Sequence, residues 1–124
     1  MENTVQMKIK RVDASTLHHV VELFDNYRIF YKQPSDIKTA ESFLKERLSH
    51  NESVIFLAYH EEGEAIHPIG FTQLYPRISS VMVKKNWHIG DLYTEQEYRK
   101  LGIGNELLKT AIAFAEKEDA DLYP

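Results

Sequence analysis

The chain has 124 residues, 43% of them hydrophobic and 27% charged, which suits one modest core, leaves too little chain for two domains and speaks against disorder. A net charge of −4 argues against nucleic acid as the partner and leans towards a cationic small molecule. The absence of cysteine removes disulfides, thiolate metal sites and a cysteine nucleophile, and it fits a cytoplasmic protein.

Residues 1–6 lack the charged-then-apolar build of a signal peptide and read as an extension, with Met7 an alternative start. Met7 to Val12 alternates, Lys8 and Lys10 against Met7 and Ile9, and predicts a first strand. Asp13 and Ser15 are N-cap candidates for a helix from about residue 14 to 31, with Leu17, Val20, Val21, Phe24, Tyr27 and Tyr31 at helical spacing. Gln33-Pro34 stops it. Ser35 or Asp36 caps a second helix whose stripe is Ile37, Ala40, Leu44 and Leu48, and His50-Asn51 ends that one.

Val54 to Tyr59 predicts a buried strand, and Glu61-Glu62-Gly63-Glu64 a turn. His67 to Tyr75 is the next strand, which Pro76 helps to end, with Ser79 to Val83 as an extension or a bend. Trp87 to Thr94 is a further strand. Leu107, Leu108, Ala111, Ile112 and Ala115 define a helix, and Ala120 to Pro124 the start of another strand. No apolar run approaches the ~20 residues that span a bilayer, so no membrane partner is expected. The order β-α-α-β-β-β-α-(β) predicts a single α/β (α+β) domain over 1–124, with a mixed, mostly antiparallel sheet flanked by helices.

The densest signal lies between the last full strand and the last helix, in Arg99-Lys100-Leu101-Gly102-Ile103-Gly104. Two glycines let the backbone turn tightly and approach a ligand closely. The N–H groups that open the helix, and its dipole, favour an anion, and Arg99 and Lys100 add positive charge at the same mouth. A phosphate or pyrophosphate is the expected ligand. The P-loop pattern is absent, and a dinucleotide fingerprint fails because Leu107 holds its third glycine position.

Arg-x-x-Gly-x-Gly between a strand and a helix resembles the coenzyme A pyrophosphate loop of the GNAT N-acetyltransferase superfamily. The element order is also that family's order up to its fifth strand. Asp91 to Leu108 resembles the family's fourth strand, pyrophosphate loop and third helix. Phe24 to Tyr31 and Gly70 to Pro76 resemble a subgroup close to diamine and small-amine acetyltransferases. The resemblance implies an N-acetyltransferase that moves acetyl from acetyl-CoA to a primary amine of a small molecule, with no metal.

By that resemblance, Leu92, Tyr93 and Thr94 run beside the pantetheine arm of coenzyme A, where the strand splays and its backbone groups bond the cofactor's amides. The first N–H of the splay faces the thioester carbonyl. Arg99, Lys100, Leu101, Gly102, Ile103, Gly104 and Asn105 hold the pyrophosphate, mostly by backbone N–H. Asp91 matches the fourth-strand carboxylate position and is the candidate base; the alternative is a strand-end residue bonded to backbone or solvent. Tyr31 and Tyr75 are acceptor-pocket candidates, whereas Tyr27 reads as core stripe and Glu95 and Glu97 as solvated loop. The six histidines are scattered in sequence and predict surface or strand-end positions, not a metal constellation. Trp87 reads as a core or edge residue and Lys84-Lys85 as a solvated turn.

Against a typical domain of the family the chain covers about three quarters to four fifths, lacking the C-terminal part. No residue matches the tyrosine that often protonates the leaving thiolate, and Tyr123 is not given that role. Three expectations stand side by side: a truncated acetyltransferase, a short variant completing its sheet as a homodimer through an open strand edge, or a non-catalytic acyl-CoA-binding module.

Overall fold

The computed structural model describes residues 7–124; the expected extension over 1–6 lies outside them. Five strands form one sheet in the order β1-β2-β3-β4-β5. They are β1 (Met7–Arg11), β2 (Val54–Glu62), β3 (Ala65–Ser79), β4 (Lys84–Thr94) and β5 (Leu122–Tyr123). The first four pair antiparallel, and β5 runs parallel to β4. The helices are α1 (His18–Phe30), α2 (Ile37–Ser49) and α3 (Ile103–Lys117), with one turn of 3-10 helix at Gln96–Tyr98. The expected α/β class and element order are those of the structure.

β2 reads as an unbroken apolar run because it is covered on both faces. Ile55 and Leu57 meet Val20, Leu23 and Phe24 of α1 and Ala40 and Leu44 of α2. Phe56 and Ala58 meet Ile103, Leu107 and Ala111 of α3 on the opposite face. α1 and α2 therefore cover one side of the sheet and α3 the other, with a separate core under each.

Several boundaries differ from the sequence expectation for local reasons. α1 begins at His18, not near residue 14, because the Asp13 carboxylate captures the N–H groups of Ser15 (2.9 Å) and Thr16 (3.1 Å) in a turn that precedes the helix. Asp36 does cap α2, accepting from Thr39 N–H at 3.1 Å. Ile37, expected in the α2 stripe, is exposed, whereas Ala40 and Leu44 are fully buried. Pro76 does not end β3. Beyond Leu74 that strand pairs, among the described residues, only with β4, so the missing proline N–H breaks no second ladder there. Lys84-Lys85 is not a turn but the start of β4, where the Lys85 ammonium lies 4.9 Å from the Trp87 ring centroid.

Candidate active site

Residues of β4 approach the loop before α3 through a local irregularity. Gln73 of β3 pairs with Asp91, but Leu74 pairs with Ile89, so Gly90 is an extra residue bulged out of β4. A bulge shifts every later side chain to the other face. Ile89 accordingly packs with the α3 core, and Tyr93 packs with the α1–α2 core. In a strand without the bulge, Asp91 would lie two residues after Ile89 and share its α3 side.

Asp91 instead lines a cavity of about 300 Å³ on the α1–α2 side, together with Phe24, Tyr27, Arg28, Phe43 and Tyr75. Its carboxylate is held from two directions. Gln73 Nε2 donates to Oδ2 at 2.7 Å, and the Tyr75 hydroxyl donates to the same oxygen at 2.9 Å. Gln73 is itself fully buried, and its amide oxygen accepts from the Ser53 hydroxyl at 2.6 Å. A polar chain thus runs from Ser53 through Gln73 to Asp91, across three strands' width of the sheet. These bonds to Asp91 come from side chains of β3 rather than from the backbone.

Burial holds the Tyr75 phenol protonated well above its ordinary range, with the Asp91 charge and hydrogen bond adding to the effect. Burial likewise raises Tyr27, whose hydroxyl also faces Asp91. Tyr27, expected as a plain core residue, therefore serves both purposes: its ring packs on Phe71 and Tyr93 while it lines the cavity. Tyr31 caps the C-terminus of α1, is 61% exposed and touches the edge of Tyr27, outside the lining of this cavity.

Glu95 is also not a solvated loop residue. It accepts from Asn26 Nδ2 at 2.9 Å and from the Tyr93 hydroxyl at 2.9 Å, tying α1 to the end of β4. Burial first, and then the Glu95 bond and charge, push the Tyr93 phenol up to about 12. Glu97 is exposed, as expected.

Past Glu95 the chain makes the 3-10 turn and enters the glycine loop. Arg99 is exposed but anchored. Its Nε donates to the Thr94 carbonyl at 2.9 Å, and its guanidinium lies 5.0 Å from the Phe30 ring and 5.6 Å from the Tyr93 ring. Lys100 and Gly102 adopt left-handed φ of 69° and 81°, and Gly102 is the N-cap of α3. Only glycine adopts that conformation without strain.

Gly104 has a different status. It sits in the first turn of α3, and a Cβ placed on it would meet nothing within 4 Å. Alanine favours a helix over glycine by ~0.5–1 kcal/mol, so nothing in the fold calls for glycine there. What its absent Cβ leaves open is the mouth of α3. No side chain caps this helix, so the N–H groups of Ile103, Gly104 and Asn105 have no partner within the helix. Leu101 and Asn105 are exposed beside that mouth and Ile103 is buried under it.

The edge of β4 that faces this mouth is also open. β5 pairs only with Trp87 and His88, so Leu92, Tyr93 and Thr94 have β3 as their one strand neighbour among the described residues. Uncapped N–H groups, the vacant Cβ position at Gly104 and an unpaired strand edge fit a long ligand with an anionic middle and an amide-bearing arm.

The histidine expectation is corrected in one respect. His60 and His67 are directly paired across β2 and β3, and their ring nitrogens and the Glu62 carboxylate all lie within 4.8 Å of one another. Six residues of chain lie between the two histidines, and the hairpin cancels that separation. Gly90 and Gln73, which aim and hold Asp91, are not singled out by the sequence pattern. A glycine one residue before the candidate base is the available signal for the bulge.

Comparison with known proteins agrees with this geometry. The model of the Acetyltransferase (GNAT) family matches residues 18–123. An uncharacterized N-acetyltransferase of Bacillus subtilis (strain 168), YhfO, is 43% identical over 114 residues, which cover 92% of this chain and 74% of that protein. A crystal structure of a probable acetyltransferase, 32% identical, superposes with a TM-score of 0.84 over 94% of this chain and 76% of its own. A predicted acetyltransferase from Clostridium acetobutylicum, solved with acetyl-CoA, shares the fold at 18% identity, with a TM-score of 0.73 over 94% of this chain and 79% of that one. The five-stranded sheet with its three helices is that of an acetyltransferase fold. The chain belongs to the GNAT acetyltransferase family.

Proposed function

We propose that the protein transfers the acetyl group of acetyl-CoA to a primary amine of a small molecule, with Asp91 receiving the amine proton. The observation that carries this reading is the bulge at Gly90. It turns Asp91 into the cavity on the same strand whose open edge leads to the mouth of α3.

Acetyl-CoA supplies an acetyl group activated as a thioester. The residues of this chain bind, orient and deprotonate. N–H groups of Ile103, Gly104 and Asn105 hold the pyrophosphate, helped by the αL turn at Gly102 and by exposed Lys100 and Leu101 around it. Leu92, Tyr93 and Thr94 bond the pantetheine amides through the β4 edge. An N–H of that edge faces the carbonyl oxygen as charge develops on it. Arg99 braces the loop against Thr94 and the aromatic pair Phe30 and Tyr93.

The acceptor amine enters the cavity between α1, α2 and β4. Phe24, Tyr27 and Phe43 supply apolar walls that suit a small organic amine. Gln73 and Tyr75 fix Oδ2 of Asp91, and Oδ1 takes the proton from the attacking nitrogen as the C–N bond forms; the C–S bond then breaks and coenzyme A leaves as a thiolate that takes a proton from solvent. Tyr75 stays protonated and keeps donating throughout.

Acetyl-CoA-dependent thiol release over a panel of polyamines, amino sugars and amino acids tests the proposal. At least one class gives release above background, with the acetylated amine detected by mass. Tight coenzyme A binding with no release on any amine contradicts it.

A further inference from the structure

We propose that His60, Glu62 and His67 form a binding site for one divalent transition-metal ion of the zinc, cobalt or nickel type. The three side chains come from the β2–β3 hairpin. His60 and His67 are register partners, and Glu62 lies two residues along β2, on the same face, just before the turn. Their donor atoms lie within 4.8 Å of one another, and His67 Nδ1 stands 3.8 Å from Glu62 Oε1. That last separation is too long for a hydrogen bond.

Metal–nitrogen and metal–oxygen bonds of ~2.0–2.2 Å put neighbouring ligands roughly 3–3.5 Å apart in a tetrahedral site. Closing the present spacing to that value calls for movement of the side chains. Glu62 and His67 are 65% and 44% exposed at the side chain and free to rotate. The backbone under them is already fixed by the strand pairing. Two imidazoles and a carboxylate form the donor set of borderline divalent ions, not of calcium or magnesium, which prefer oxygen alone.

A neighbour is placed to orient the first ligand. The Tyr98 hydroxyl is 3.4 Å from His60 Nε2, and the Tyr98 ring lies 5.8 Å from that of His67. Tyr98 closes the 3-10 turn, and Arg99 follows it into the glycine loop. A bound ion therefore braces the hairpin against the segment that leads to the mouth of α3.

The test is a titration of zinc chloride into chelator-treated protein carrying no affinity tag, read by calorimetry. Cobalt chloride is used in parallel and read by visible absorption. One ion binds per chain, and cobalt shows the ligand-field bands of an imidazole-carboxylate site. His60→Gln and His67→Gln each weaken zinc at least ~10-fold, while their metal-free melting temperatures match the parent. Absence of saturable zinc binding in the parent overturns the proposal. So does a His60→Gln/His67→Gln protein that keeps the parent's stoichiometry and affinity.

Discussion

The ring of Tyr75 occupies the space that a side chain on Gly90 would need. A Cβ built there overlaps the ring itself, and Tyr75 in turn donates to Asp91 at 2.9 Å. The glycine, the tyrosine and the acid are one device. Gly90→Ala forces the ring away, or straightens the bulge that aims Asp91. Overpacking of this kind costs ~1–3 kcal/mol. Urea unfolding should show that loss, and steady-state kinetics a kcat reduced by at least ~10-fold, the lower edge of what misplacing a reacting group costs. An alanine variant with parental stability and kcat contradicts the account of the bulge.

Gln73 has no exposure to solvent and links Ser53 to Asp91. Gln73→Leu fills the same space but leaves a hydroxyl and a carboxylate without this buried partner. Each unsatisfied group costs ~1–3 kcal/mol. Lower stability together with a lower kcat at unchanged acetyl-CoA affinity is the expected pattern. Ser53→Ala, which removes only the outer bond, should have a smaller effect on kcat.

Gly104 separates folding from binding. Its Cβ would meet no protein atom, so Gly104→Ala should leave the melting temperature unchanged or raise it, by about 0.5–1 kcal/mol of helix propensity. The same methyl intrudes on the mouth of α3, and acetyl-CoA affinity should drop ~10-fold or more, the loss of one good charge-assisted bond. Gly102→Val loses both, because φ of 81° strains a β-branched residue. Full acetyl-CoA affinity in either variant removes the cradle.

Tyr27, Tyr75 and Tyr93 are all raised, Tyr93 to about 12 from 10.0. The folded chain therefore keeps protons that the unfolded chain releases above ~10. Their contribution to stability is intact below that pH and is lost as pH rises past it, over the interval from 10 to about 12 for Tyr93. Melting temperature should fall steeply from pH 10 upward. At pH 10, folded Tyr75→Phe should show the same phenolate absorbance as the parent, since Tyr75 is still protonated there.

Much of this was readable in the sequence, and the gaps have physical causes. The sequence located the five strands and three α-helices, but not the 3-10 turn at Gln96–Tyr98, because both faces of β2 and one stripe of each α-helix are apolar. It misplaced the start of α1, where the Asp13 carboxylate competed with the helix for backbone N–H groups. The glycine loop was legible because glycine at αL and a bare helix start leave a local signature. The support around Asp91 was not. Gln73 and Ser53 reach it through strand register, and Gly90 sets that register through a bulge with no periodic signal of its own. Register also hid the meeting of His60 with His67. Tyr31 holds a place in the helical stripe but falls at the cap of α1, so periodicity alone did not show its exposure.

The most direct test of the central claim is the kinetics of Asp91→Asn with whichever amine supports thiol release. The amide keeps the size of the carboxylate and cannot take the proton. The account predicts a kcat lower by ~10²–10⁴-fold, with acetyl-CoA affinity unchanged. A variant that turns over within a few-fold of the parent would contradict it.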